Sequence, residues 1–195
     1  PVVLAHLPPG SRVLEGGCGR GQILAHLERE GYRGVGLDFA RRTLDAIRAA
    51  RPDLRLTAGD VRALPLRDGS LDGYVSVGVI EHFWDGYEPI LAEMARSLRA
   101  DGVLVISFPY MSPLRRLKAA LRIFPHRTSA ALATRRDDLY QFALDGDAAI
   151  RDIEALGFEL VEFAKINGLK GTMDEIPLLA PVLRPMYEMR RWKRL

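Results

Sequence analysis

The stretch VLEGGCGRGQI, Val13 to Ile23, places Gly17, Gly19 and Gly21 at alternate positions just after an acidic residue, Glu15. An apolar run leads into it and a helical pattern leaves it, so these glycines occupy a strand-to-helix junction. Bare backbone there lets the chain turn tightly and lets a ligand lie against the main chain. The helix that follows aims free N–H groups and its positive dipole end at that ligand. Dinucleotide sites at such junctions use the spacing G-x-G-x-x-G. Here the spacing is G-x-G-x-G and position 22 is Gln. A carboxylate at Glu15 would also repel a pyrophosphate, whereas it suits a cation.

Outward from this loop, short apolar runs alternate with helical patterns, the layout of a mostly parallel sheet covered on both faces. RVLEG, GVGLD, LRLTAGD, LDGYVSVG and VLVISF read as five strands, the last one fully apolar. Helices are expected over Ile23–Glu30, through Ala50, over Tyr87–Leu98 and from an Asp145 cap to Leu156, with FELVEF as a sixth strand. Asp38 closes the second strand, where an acid can accept from both ribose hydroxyls. Asp60 closes the third, placed to accept from an adenine amino group. S-adenosylmethionine carries a sulfonium, an ammonium, a ribose and an adenine, and three acids at three strand ends match those parts.

VLEGGCGRG, GVGLD, AGDVRALPLRDGSLDGYVSVGVIEHF and LRADGVLVISFP, in this order and spacing, resemble the successive motifs of class I S-adenosylmethionine-dependent methyltransferases of the type 11 kind. The resemblance implies a Rossmann-like, doubly wound, mostly parallel sheet in three αβα layers, with a helical lid inserted after the fifth strand. It also implies a seventh strand in an antiparallel hairpin with the sixth, for which the sequence offers no clear candidate. Glu15, Gly16, Gly17, Gly19, Gly21 and the neighbouring backbone would hold the methionine end. Asp38 would bind ribose with Phe39 beside the adenosine, Asp60 and Val61 would meet adenine, and Ser76 and Val77 would line the cofactor near its methyl group. His82, in EHF, opens the helix facing the substrate, and His82, Phe83, Tyr110 and Tyr140 are candidate pocket residues.

Simpler roles stand beside these. Asp38 and Asp60 could be strand-end caps, Cys18 fills a small gap in the loop, and Glu81 reads as a helix N-terminal charge. His82 is balanced between a hydrogen-bonded orienting group and a base, for which its intrinsic pKa is suitable.

With 195 residues, 48% hydrophobic content and a net charge of +3, the chain suits one domain and gives no general argument for nucleic acid. A single cysteine rules out an intrachain disulfide, and a reducing cytoplasm is the simplest setting. No apolar run is long enough to span a membrane and no signal peptide is visible. The chain opens on Pro1 rather than Met, which points to a missing N-terminal piece. No Cys/His zinc cluster or carboxylate group suggests a metal.

The expected organisation is one methyltransferase domain over residues 1–195, with a helical lid at 110–140 and a helical tail at 172–195. Between Ser112 and Arg136 there are seven Lys/Arg residues and no acid. Ser112 can cap a helix whose Leu114, Leu117, Leu121 and Phe124 share one face. Such a lid would draw an anionic, glycan or lipid-linked small molecule toward the site, and the basic lid or tail could touch a membrane surface. The function expected is methyl transfer to an O or N acceptor. The rivals are a non-catalytic cofactor-binding or membrane-associated module and a nicotinamide-dependent oxidoreductase.

Overall fold

Four successive residues of β1 (Arg12–Gly16) and six of β4 (Leu71–Val77) are buried, the signature of strands covered on both faces. The structure is a computed structural model that describes residues 5–121 and 141–166, together with the isolated positions 173, 176, 178, 181 and 184. Along the chain come β1, α1 (Gln22–Arg29), β2 (Arg33–Asp38), α2 (Arg41–Ala50), β3 (Leu56–Ala58), β4, a 3-10 turn (Ile80–His82), α3 (Glu88–Ser97), β5 (Leu98–Ser107), α4 (Pro113–Ala120) and α5 (Gly146–Glu154). The five strands form one sheet in the order β3-β2-β1-β4-β5, every pair parallel.

The order decides where a ligand can lie. From β1 the chain builds outward through β2 and β3, then returns to lay β4 against the other side of β1. Residues leaving the carboxyl ends of β1 and β4 therefore diverge and open a crevice, the usual binding position in such sheets. Side-chain alternation splits the core between the two faces. Leu14 and Tyr74 join Leu37, Ile80, Ile90, Leu91 and Met94 on one side, while Val13 and Val75 join Leu7, Leu27 and Tyr32 on the other. The helix expected over Tyr87–Leu98 buries an apolar stripe of Ile90, Leu91 and Met94.

Asp145 caps α5 as expected, accepting from the N–H groups of Asp147 and Ala148 at 3.0 and 3.2 Å. The helix ends at Glu154, short of Leu156, and Gly157 turns away at φ 91°. Residues 142–144 run alongside the end of β5. Phe142 N–H donates to the Glu81 carbonyl at 2.9 Å, and Leu144 N–H to the Pro109 carbonyl at 2.8 Å.

One expectation at the sheet edge fails. FELVEF, residues 158–163, forms no strand; Leu160, Val161 and Phe163 are exposed. An apolar run becomes a strand only where a neighbour completes its hydrogen bonds, and among the described residues no strand pairs with this one. The apolar run of β5 is half-buried over Val103–Ile106, since among the described residues β5 is the edge of the sheet.

The chain divides into two compact units: residues 5–111 with 141–158, and residues 112–121 with 159–166, among those described. In the second unit Ser112 Oγ accepts from Arg115 N–H at 3.2 Å and Pro113 occupies the first turn of α4, as the sequence indicates. Leu117 and Leu121 of that helix are exposed. Phe124, Tyr140 and most of the tail read at 172–195 lie outside the described residues.

Candidate functional site

Everything that the sequence marks for cofactor binding lies at the carboxyl ends of β1 to β4. The loop after β1 is docked by its backbone: Gly17 and Cys18 N–H groups both donate to the Leu37 carbonyl, at 2.8 and 3.0 Å. Gly17 has φ 75°, and a Cβ there would strike Val79 Cγ2, so the turn after β4 rests directly on the loop. Gly19 has φ 47° with nothing within 4 Å of where its Cβ would be. A side chain there would project into open space at the N-terminal end of α1. Gly16 is a glycine for a different reason: a Cβ there would overlap the Tyr74 hydroxyl and ring.

Asp38 is buried, and its carboxylate ties the loop to the next motif. Oδ2 accepts from Gly19 N–H at 2.8 Å and Oδ1 from Ala40 N–H at 2.9 Å. Its neighbour Phe39 is 84% exposed, a free aromatic face beside the crevice.

Glu15 does something its position in sequence does not announce. The N-cap of α1 is Gly21, which has no side chain to satisfy the first-turn donors. Glu15 Oε2 reaches across from the strand and accepts from Leu24 N–H at 2.8 Å. It is 4% exposed. Burial pushes its pKa up to about 7, against the pull of the Leu24 N–H, with the Asp38 charge adding to the rise. Cys18 feels the same surroundings. Burial first, then Glu15 and Asp38, push its thiol up to about 12, so it stays protonated and packs among Leu24, Leu44, Ile47 and Leu54. The gap-filling role read for it is the one it plays.

At the carboxyl end of β4, Ser76 is buried and its Oγ has no hydrogen-bond partner in the protein, while Val77 is half-exposed. Glu81 stands in the first turn of the 3-10 helix, as its reading as a helix N-terminal charge expects, but it is buried. It is 2% exposed, its Oε2 has no partner, and burial raises its pKa. Apolar neighbours in the sequence, Val79 and Ile80, gave no signal that this carboxylate would be drawn inside with them.

Asp60 lies two residues beyond β3. Its carboxylate takes Arg62 in a fork, Nε at 3.0 and 3.1 Å and Nη2 at 2.6 Å, and accepts Arg62 backbone N–H at 2.9 Å. Arg62 holds the Asp60 carboxyl below its ordinary range. Val61 turns its side chain into the core. A cavity of about 250 Å³ is lined by Arg62, His82, Phe83, Trp84, Asp85, Gly86 and Pro89. His82, exposed at the end of the 3-10 turn, and Phe83 are the two expected pocket residues that meet there. Tyr110 does not; it is half-buried on a backbone bridge to Leu144. Phe142 is core, packed on Trp84 with ring centroids 5.6 Å apart. Among the described residues no group of three His, Cys, Asp or Glu could hold a metal ion, and no helix is long and apolar enough to cross a membrane.

A doubly wound parallel sheet, a glycine loop at a helix N-terminus with open space over Gly19, and acids at successive strand ends form the frame of a Rossmann-like fold. The Methyltransferase domain family model matches residues 14–106. A probable S-adenosylmethionine-dependent methyltransferase of Mycolicibacterium smegmatis is 39% identical over 109 residues, 54% of this chain and 41% of that protein. The demethylmenaquinone methyltransferase of Renibacterium salmoninarum is 30% identical over 171 residues, covering 82% of this chain and 71% of the other. The crystal structure of a SAM-dependent methyltransferase from Methanosarcina mazei superposes with a TM-score of 0.72 at 18% identity, over 84% of this chain and 87% of that one. This chain belongs to the class I S-adenosylmethionine-dependent methyltransferases, whose cofactor is S-adenosylmethionine. It spans only about two-fifths of the length of the mycobacterial relative.

Proposed function

We propose that this chain transfers a methyl group from S-adenosylmethionine to an oxygen or nitrogen of a small-molecule acceptor, with His82 receiving the proton the acceptor loses. One observation carries the reading: an exposed histidine on a cavity wall, at the end of the turn whose first residues rest on the glycine loop. Glycines 16, 17, 19 and 21 and Glu15 would take the methionine end, Asp38 and Phe39 the ribose side, Asp60 and Val61 the adenine, and Ser76 and Val77 the region of the methyl group. Gly19 and the unpartnered Ser76 Oγ support this, since open space over one and a buried donor on the other suit a ligand between β1 and β4.

When bound, the cofactor supplies a methyl group already activated on a positive sulfur, and transfer breaks that C–S bond and leaves S-adenosylhomocysteine. The protein's contribution is alignment and exclusion of water, worth up to roughly 7–11 kcal/mol in ideal geometry. His82 is exposed, so it can exchange its proton with solvent after each turnover. The basic run at 112–136 supports an anionic or lipid-linked acceptor, and the demethylmenaquinone methyltransferase relative supports a lipid-borne one.

The test is transfer of labelled methyl from S-adenosylmethionine into pooled small-molecule, lipid and tRNA fractions. Label in a small-molecule or lipid fraction is expected. With that acceptor, His82→Ala lowers kcat by about 10²–10⁴ and leaves the KM for S-adenosylmethionine unchanged. Label confined to tRNA, or wild-type kcat in His82→Ala, would overturn the respective part.

A further inference from the structure

We propose that Arg62 is a positioning residue for the cofactor's purine: it fixes and neutralises the Asp60 carboxylate so that Asp60 selects a 6-amino purine. The inference rests on the reading of Asp60 as the group that meets adenine.

Asp60 has a side chain 43% exposed. A lone, solvated carboxylate in that position could rotate freely, and pressing a neutral purine against it would strip water from an uncompensated charge. Arg62 removes both difficulties. Its planar fork engages both carboxylate oxygens, a geometry that sets the plane of the carboxylate as well as its charge. The Arg62 backbone N–H adds a further bond to Oδ1. A carboxylate offers about four lone-pair sites, so these bonds leave little acceptor capacity, and what remains points away from the guanidinium. That residue of capacity suits an N–H donor and repels a carbonyl oxygen.

Arg62 is itself held. Its guanidinium carbon lies 5.2 Å from the centroid of Phe83, over the ring face. The Asp85 charge acts on it as well. The fork therefore links Asp60, the residue ending the third motif, to the turn that carries His82, and Arg62 and that turn line the same cavity.

The chain contains its own control. Arg51 and Asp53 form the same kind of exposed fork, with Nε at 2.9 Å and Nη2 at 2.7 Å. They do not line the cavity. If forks of this kind were only surface ion pairs, worth about 0–1 kcal/mol, the two would behave alike when broken.

The experiment measures, by calorimetry on the full chain, the Kd of S-adenosylhomocysteine and of S-inosylhomocysteine, which replaces the 6-amino group by a carbonyl. Wild type and Arg51→Ala are expected to prefer the adenine compound by about tenfold or more, the scale of one charge-assisted hydrogen bond. Arg62→Ala is expected to bind S-adenosylhomocysteine about tenfold more weakly and to lose the preference, with Arg62→Lys recovering part of both. The melting temperature should move by no more than about 2–4 °C, as for any exposed ion pair in a chain of this size. Full retention of the preference in Arg62→Ala overturns the inference. A wild type that binds both compounds equally overturns the reading of Asp60 instead, and the role of Arg62 with it.

Discussion

Replacing Glu15 by Gln should make the cofactor-free protein more stable, and increasingly so as pH rises. Gln keeps an oxygen for the Leu24 N–H that Glu15 Oε2 now satisfies at 2.8 Å, so α1 keeps its cap. What Gln removes is a charge that the fold finds expensive to bury. The carboxyl moves from its ordinary 4.5 to about 7 on folding. At about 1.4 kcal/mol per pH unit, ionising it in place costs about 3 kcal/mol. The sign follows from proton binding: between those values the folded chain holds the proton more tightly than the unfolded one, so wild-type stability falls as pH rises through the window. Below pH 4.5 both states are protonated and the penalty is absent. Urea unfolding at pH 4.5, 6 and 8 should show Glu15→Gln gaining nothing at the lowest pH and up to about 3 kcal/mol at the highest. A difference independent of pH would refute the reasoning, because it would mean that Glu15 is ionised, or solvated, equally in both states. The same variant should bind S-adenosylmethionine about tenfold more weakly at pH 8, having lost the negative charge beside the cationic end.

Gly17→Ala should cost about 2–5 kcal/mol in thermal or urea unfolding, combining a left-handed backbone with a clash against Val79. Gly19→Ala, strained but unobstructed, should cost only about 1 kcal/mol in the same assay. Calorimetry should nonetheless show it failing to bind S-adenosylhomocysteine, because its methyl enters the open space proposed for the cofactor. Asp38→Ala should remain folded, about 1–3 kcal/mol less stable as the Gly19 and Ala40 N–H groups lose their acceptor, and should lose cofactor binding. Unchanged affinity in that variant would remove Asp38 from the ribose site.

The five strands and their helices were legible because burial on both faces writes long apolar runs into β1 and β4, the apolar run of β5 persists although it is the half-buried edge among the described residues, and glycine stops mark their ends. Asp145 and Ser112 were legible as caps because capping is a local act between a side chain and donors two or three residues on. What the sequence hid is pairing across loops. Glu15 serves a helix nine positions away, and nothing near it says that a backbone N–H is among its partners. Arg62 was passed over because an arginine two residues after an acid looks like any surface charge until the ring of Phe83 is placed beneath it. FELVEF misled in the opposite direction: its composition is right for a strand, but pairing is supplied by another segment.

Tyr74 and Gly16 share one volume on neighbouring strands, and this constrains the order in which the protein can change. The Tyr74 hydroxyl is buried without a partner and stands where a Gly16 side chain would be. Shortening Tyr74 first opens space that residue 16 can then occupy; changing Gly16 first meets a filled site. The two positions are therefore expected to drift as a pair, always through the tyrosine, and a lineage that keeps Tyr74 is locked into glycine beneath its cofactor loop.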